Sequence, residues 1–124
     1  MDYIFTITEY DIDNVDSSYT VNHGRTEHWL DLTSKTYETR RYADNISTII
    51  TSIPWEDDLR LIQSFIDREI ERINIQILLE KTRIYELVNF GAYINVGPND
   101  IQIANDALAK SQETLNYLKN YSLV

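Results

Sequence analysis

The chain contains no cysteine, and its 124 residues include only three glycines and two prolines. Without cysteine it cannot form disulfides, bind a metal through thiolates or use a cysteine nucleophile. Three scattered glycines cannot build a loop that cradles a phosphate. No apolar run approaches the roughly 20 residues that a membrane span needs. The opening residues, MDYIFTITEYD, lack the basic and apolar regions of a secretory signal, so we expect an intracellular protein.

Basic residues are also scarce, because 11 lysines and arginines face 20 acids and the net charge is −9. A phosphate backbone would be repelled by such a surface, so we expect no nucleic-acid binding. Three explanations of the acidic composition remain open. The acids could serve solubility alone, they could suit a basic protein partner, or they could surround a local pocket whose charge differs from the average. With 43% apolar and 11% aromatic residues, the chain has enough material for one folded domain.

The N-terminal half predicts an antiparallel β-meander of three or four strands. Segments rich in β-branched and aromatic residues mark the strands at 3–10, 19–22, 26–32 and 36–42. Residues 11–18 are polar and predict a loop, and His23-Gly24-Arg25 predicts a turn. The composition of residues 46–53, ISTIITSI, favours a strand, and an extended lead-in to the following helix is also open.

From Pro54 onward, apolar residues recur at steps of three and four and predict a long helix that ends near Gly91. Its stripe consists of Leu59, Ile62, Ile66, Ile70, Ile73, Ile77, Ile84, Leu87 and Val88. A second helix begins at Pro98 with a regular heptad seam. That seam consists of Ile101, Ala104, Leu108, Ser111, Leu115, Leu118 and Ser122. The short connector makes the two helices antiparallel neighbours.

The predicted fold class is therefore α+β, with an N-terminal antiparallel β-meander packed against a C-terminal long antiparallel two-helix hairpin. We predict a single domain over 1–124, with the meander at 1–53 and the hairpin at 54–124. The first helix carries further apolar residues off its stripe, namely Leu61, Phe65, Ile75 and Leu79. One neighbouring helix cannot bury all of them, so we also predict a homo-oligomer, a dimer or higher.

Three aspartates near the N-terminus superficially resemble a calcium loop. Counting from Asp11, the sixth position is Asp16 and the twelfth is Asn22, whereas an EF-hand needs glycine and glutamate there. A solvated acidic loop is the better interpretation.

The two histidines, His23 and His28, would reach a shared metal with Asp31 only if a hairpin brought them together, and surface histidines are the simpler interpretation. Neither histidine lies in a His-x-Thr or His-x-Ser triplet, as a two-histidine phosphodiesterase requires. A G-x-S-x-G nucleophile elbow is also missing. We expect no metal, no cofactor and no enzymatic activity.

The end of the first helix and its connector form the most distinctive cluster. Between Tyr85 and Asp100 the sequence places three aromatics, Tyr85, Phe90 and Tyr93, and three asparagines, Asn89, Asn95 and Asn99. Aromatics stack on bases, and asparagine offers both a donor and an acceptor to a purine edge. The N-terminus of the second helix could hold a phosphate. The structural alternative is that the aromatics cap the core and the asparagines satisfy the turn.

The architecture, together with the spacing of Arg60, Tyr85 and Asn95, resembles the phage anti-Thoeris sponges, which sequester the cyclic ADP-ribose signal of TIR-domain enzymes. That family has a basic residue in the second long helix, where this chain has only Lys110 and Lys119. The resemblance implies sequestration without chemistry in the cytoplasm of a host cell. Its aromatic, Tyr85 or Phe90, would stack on adenine.

In the same resemblance, Asn95 would read polar edges and Arg60 would pair with the pyrophosphate, helped by Arg83 or Lys110. Asn99 completes the set of candidate ligand-binding residues. Two other classes remain open. An acidic immunity or inhibitor protein would block a basic protein partner, and a virion or scaffold component would use the hairpin for assembly.

Overall fold

This computed structural model describes residues 2–16, 19–43, 46–91 and 97–124. They fall into two compact units, Met1–Gln63 and Ser64–Val124. The N-terminal unit contains a β-sheet and the C-terminal unit contains most of two helices. None of the described helices is long and apolar enough to cross a membrane.

Four strands form one antiparallel sheet in the order β1-β2-β3-β4. They are β1 (Ile4–Asp16), β2 (Tyr19–Asp31), β3 (Thr36–Ala43) and β4 (Ile46–Ile53). The predicted α+β class is confirmed: a β-meander comes first and a two-helix hairpin follows. The ambiguous segment 46–53 is a strand, in agreement with its β-branched composition.

Two local predictions in the sheet were wrong. Residues 11–16 were expected to form a loop but continue β1, which lies at the sheet edge with register shifts after Asp11 and Asn14. An edge strand tolerates polar residues because water reaches it. The expected turn at His23-Gly24-Arg25 is instead part of β2, where Gly24 pairs with Asp11 on one side and Ala43 on the other.

The register of β2 with β3 is set by their connector. The Asp31 carboxylate accepts hydrogen bonds from the backbone N–H groups of Thr33 (3.0 Å) and Ser34 (3.2 Å). Lys35 adopts a left-handed conformation with φ of 55° and returns the chain so that Asp31 pairs with Thr36. The Ser34 hydrogen bond is the main reason that the pKa of Asp31 lies below its usual value.

One face of the sheet, the inner face, supplies the core of the N-terminal unit. Phe5, Leu30 and Tyr37 lie side by side on three neighbouring strands and are all at least nine-tenths buried. His28 lies next to them, and its Nδ1 is 2.8 Å from the Tyr37 hydroxyl. Burying each large apolar side chain contributes roughly 1.5–3 kcal/mol, so this row holds the strands together.

The long helix starts slightly later than predicted. Pro54 precedes a 3₁₀ helix at Trp55–Asp58, and α1 (Leu59–Phe90) follows it. The Asp58 carboxylate accepts a hydrogen bond of 3.2 Å from the Leu61 N–H, which is the geometry of an N-cap. The acids expected in the first turn of the helix therefore lie in the 3₁₀ segment, and one of them caps α1.

The second helix, α2 (Pro98–Lys119), folds back along α1. Gln76 of α1 donates a hydrogen bond of 2.9 Å to the hydroxyl of Ser111 in α2. Gln76 and Ser111 are separated from the connector by nearly the same number of residues, so α1 and α2 run antiparallel. Ser111, a predicted seam position, is 4% exposed. Val88 was predicted on the apolar stripe but is 62% exposed, whereas Phe65, placed off the stripe, is buried.

Gly24 provides a direct test of the sheet. Its φ is +141°, and an added Cβ would lie 2.3 Å from the Tyr42 carbonyl oxygen. We expect Gly24→Ala to lower the free energy of unfolding by about 2 kcal/mol or more, through steric overlap and backbone strain. Gly97→Ala is the matched control, because the nearest atom to its added Cβ would be 3.9 Å away. Equal losses in urea unfolding of the two variants would contradict this account of Gly24.

Tyr37 gives a test at alkaline pH. Burial, reinforced by the charges of Asp58 and Glu9, raises the pKa of Tyr37 to about 12. Because its folded pKa is raised, its contribution to stability is fully present below about pH 10 and is lost as pH rises towards 12. In an absorbance titration of phenolate, we expect Tyr37→Phe to remove a step near pH 12. Loss of a step near pH 10 instead would show that Tyr37 is not held neutral.

Candidate functional site

The predicted site at the hairpin end is anchored by two exposed aromatics of α1. Tyr85 is 62% exposed and Phe90 is 51% exposed, and their ring centroids are 6.4 Å apart in an edge-to-face arrangement. Leu87 between them is buried, so α1 holds the segment while both rings face solvent. The two rings form an aromatic corner on the surface rather than a cap on the core. Exposed rings of this kind are suited to stacking on a planar ligand.

The first turn of α2 follows the connector in the sequence. Asn99 is exposed there, while Asn95 lies outside the described residues. The Asp100 carboxylate accepts a hydrogen bond of 3.0 Å from the Gly97 N–H. This acid already caps the helix and satisfies one of its free N–H groups. A phosphate at this terminus would meet a negative charge, so a phosphate contact there needs a cation from elsewhere.

The cations of the prediction lie in different parts of the chain. Arg60 is exposed in the first turn of α1 and belongs to the N-terminal unit, whereas Tyr85, Phe90 and Asn99 belong to the C-terminal unit. Arg83 is 59% exposed, and its Nη1 is 3.9 Å from Glu86 Oε2. This long distance makes it a loose surface ion pair. Of the predicted set, the structure brings Tyr85 and Phe90 into contact with each other.

The structure also contains a cluster that the sequence interpretation missed. On the outer face of the sheet, antiparallel pairing sets Arg25 opposite Tyr42, Glu27 opposite Arg40 and Trp29 opposite Glu38. Two alternating patterns, R-x-E-x-W in β2 and E-x-R-x-Y in β3, produce this arrangement. We call these six residues the arginine–aromatic face. The sequence shows only the alternation of these residues along each strand. Which residues of β2 and β3 face each other follows only when the register of the two strands is known.

Glu27 is the centre of the arginine–aromatic face. Its carboxylate accepts a hydrogen bond of 3.1 Å from Trp29 Nε1 and one of 3.3 Å from Arg25 Nε. Burial acts to raise the pKa of Glu27, but hydrogen bonds from Trp29, Arg25 and Tyr42 outweigh it, so the pKa lies below its usual value. The carboxylate is 18% exposed and remains ionised at neutral pH.

Both arginines lie over aromatic rings. The Arg25 guanidinium is 4.1 Å from the centroid of Tyr42, and that of Arg40 is 4.0 Å from the centroid of Trp29. Arg40 Nε also donates a hydrogen bond of 2.5 Å to Glu38. Each positive charge is therefore stacked on a ring and paired with a carboxylate.

Beside this face is a shallow depression of about 130 Å³. It is lined by Ile4, Trp29, Leu30, Asp31, Thr36, Glu38 and Arg40. The volume is well below the 300 Å³ or more of most small-molecule pockets. Since its charges are paired and its rings are covered by guanidinium groups, the arginine–aromatic face is better suited to stabilising the solvent side of the sheet than to stacking a base.

The metal alternatives receive no support from the part of the chain that the structure describes. No group of three or more His, Asp or Glu side chains is placed there to hold an ion. The His28 ring lies between the Tyr37 hydroxyl at 2.8 Å and the Glu9 carboxylate at 3.5 Å. The side chains of Asp13, Asp16 and His23 lie outside the described part of the structure.

No protein-family model, no curated protein and no solved structure matches this chain.

The arginine–aromatic face predicts an acid-dependent loss of stability. Because the folded pKa of Glu27 is lowered, its contribution is present above its unfolded pKa of about 4.3 and is lost as pH falls through the folded value. We expect Glu27→Gln to cost about 1 kcal/mol at pH 7 and much less at pH 2. Thermal unfolding followed by circular dichroism at both pH values measures this difference.

Glu38→Gln is the control, because it removes a carboxylate from the same face but leaves the three donors of Glu27 in place. A Glu27→Gln penalty that is the same at pH 7 and pH 2 would contradict the role of the ionised carboxylate.

Proposed function

We propose that this protein is a non-catalytic binding protein that sequesters a small cyclic nucleotide signal of the cyclic ADP-ribose class. It would act as a phage-type anti-defence protein in the cytoplasm of a host cell. The observation that carries the proposal is the aromatic corner of Tyr85 and Phe90, two rings in mutual contact that are each more than half exposed. The ligand class comes from the resemblance to the anti-Thoeris sponges.

The chemistry of the corner supports binding rather than catalysis. Stacking on an aromatic ring contributes roughly 1–3 kcal/mol per base and makes no demand on a particular base. Asn99 is exposed in the first turn of α2 and would offer both a donor and an acceptor to the polar edge of an adenine. In this proposal Asn95 has the same role. Among the described residues at the corner, no nucleophile is hydrogen-bonded to a general base, as covalent catalysis would require.

The negative groups of the ligand need cations, because the protein carries a net charge of −9. In the C-terminal unit the exposed candidates are Arg83 and Lys110. Arg83 is only loosely paired with Glu86, so it can turn towards a phosphate at little cost. Arg60 enters the proposal through the resemblance alone.

The proposal includes a homo-oligomer. Ile75, Leu78 and Leu79 of α1 are each more than half exposed. Contiguous exposed apolar side chains of this size typically mark an interaction surface. The sequence analysis predicted a homo-oligomer because the first helix has more apolar residues than one neighbouring helix can bury. These three exposed side chains are consistent with that prediction.

A retention experiment tests the proposal. The purified protein is mixed with cyclic ADP-ribose isomers and cyclic oligonucleotides, freed of unbound material and denatured by heat, and the released compounds are identified by mass spectrometry. We expect one ligand to be recovered intact. Recovery of a cleaved product would mean an enzyme, and recovery of nothing would overturn the small-molecule proposal.

Variants locate the binding site. We expect Tyr85→Ala and Phe90→Ala each to weaken binding by about 10- to 100-fold, the loss of one stacking contact. Tyr10→Ala is the matched control, because Tyr10 is 57% exposed and lies in β1. Calorimetric titration of the retained ligand measures the three affinities. If Tyr10→Ala binds as weakly as Tyr85→Ala, the aromatic corner is not the site. Arg60→Ala and Asn95→Ala test the residues assigned by resemblance, and unchanged binding removes them from the site.

The excess of acidic residues favours a second candidate, an immunity or inhibitor protein that blocks a basic protein partner. Association with such a partner would be steered by the charge of −9 and would weaken sharply as salt is added. A stacked small ligand would respond less to salt. Binding measured at low and high ionic strength therefore separates the two candidates.

A further inference from the structure

The strand β4 is the last in the sheet order, and it presents its outer edge without a neighbouring strand among the described residues. Ile49 is 55% exposed and Ile50 is 58% exposed. They point to opposite faces, because Ile50 pairs with Arg40 of the arginine–aromatic face and Ile49 pairs with Arg41, the next residue of β3, whose side chain is on the other face. The outer edge of β4 is therefore not paired with any described strand and has an exposed isoleucine on each face.

The two edges of the sheet differ sharply. The opposite edge, β1, carries the acids Glu9 and Asp11 and has two register shifts. Charges and irregularities of this kind are the usual protection of an edge against pairing with another chain. β4 also has one register shift, between the pairs Arg41–Ile49 and Ala43–Ile46, but it has no charged residue, no proline and no glycine over its eight residues, ISTIITSI. One edge of the sheet is blocked and the other is open.

We propose that β4 pairs antiparallel with β4 of a second copy of this chain, which joins the two sheets into one of eight strands. A two-fold axis perpendicular to the sheet reverses the strand direction but keeps each face on its own side. The sequence numbers of two residues that lie opposite each other must then differ by an even number, because both side chains are on the same face. Among the registers that meet this condition, an axis through an Ile49 pair or through an Ile50 pair places isoleucine against isoleucine.

A second copy suits this edge better than an unrelated peptide. The uncharged strand brings no like charges together, so two copies can pair there although each carries −9. A charged peptide would find no complementary charge along β4. Because only one edge is open, the assembly closes as a pair and does not continue as a fibre. An eight-residue strand is only about 26 Å long, so the contact should dissociate on dilution.

The proposal goes beyond ligand sequestration and does not depend on it. Its first test is the mass of the full chain by sedimentation velocity over a range of concentrations. We expect Ile49→Lys/Ile50→Lys to halve the assembly mass or to raise its dissociation constant at least tenfold, because the axis would bring lysines together. The double variant has a net charge of −7, which lowers general repulsion between copies.

Ile4→Lys is the matched control, since Ile4 is 59% exposed and lies in β1 at the blocked edge. It should leave the mass unchanged, and circular dichroism should show all variants folded. A wild-type chain that is monomeric at every concentration, or a mass insensitive to the two lysines, overturns the proposal.

Cysteine scanning provides an independent test, because the natural chain has no cysteine. Ile49→Cys and Ile50→Cys are each treated with a short bis-maleimide, with Ile4→Cys and Leu79→Cys as controls. We expect concentration-dependent cross-linked dimers at Ile49 or Ile50, and the more reactive position identifies the register. Efficient cross-linking at Ile4, or only at Leu79 of α1, overturns the β4 interface.

Discussion

The sheet depends on the register of β2 against β3. The Asp31 carboxylate holds the connector through two backbone N–H groups, and this places Asp31 opposite Thr36. Every other residue of β2 then faces the core, beginning with Leu30, and the alternate residues face solvent, beginning with Trp29. A shift of one residue would expose Leu30 and bury the charges of the arginine–aromatic face. The core and the outer cluster are two consequences of the same pairing.

The long helices and the strand composition could be predicted from the sequence, because each depends on periodicity within a single segment. The prediction assigned α1 and α2 correctly, apart from the 3₁₀ segment that precedes α1. It failed for Gly24, because a glycine within a strand and a glycine in a turn look the same until its neighbours across the sheet are known. It failed for residues 11–16 because polar composition suggests a loop, although an edge strand can carry the same residues.

The candidate site, like the fold, could be predicted from the sequence only in part. The exposure of Tyr85 and Phe90 follows from helix geometry, and the crowding of aromatics and asparagines was visible in the sequence. The contact between the two rings depends on side-chain placement that spacing alone does not give. The arginine–aromatic face could not be predicted, because its three β2 residues meet its three β3 residues only when the two strands pair in this register.

The division of the chain has a further consequence for its spectroscopy. Trp29 and Trp55, the two tryptophans of the chain, both belong to the N-terminal unit, whereas the C-terminal unit contains tyrosine but no tryptophan. Tryptophan fluorescence excited at the red edge therefore reports on the N-terminal unit, while helical ellipticity is dominated by the hairpin. The natural protein thus carries separate optical reporters, and the order in which its two units unfold can be read without attaching a label.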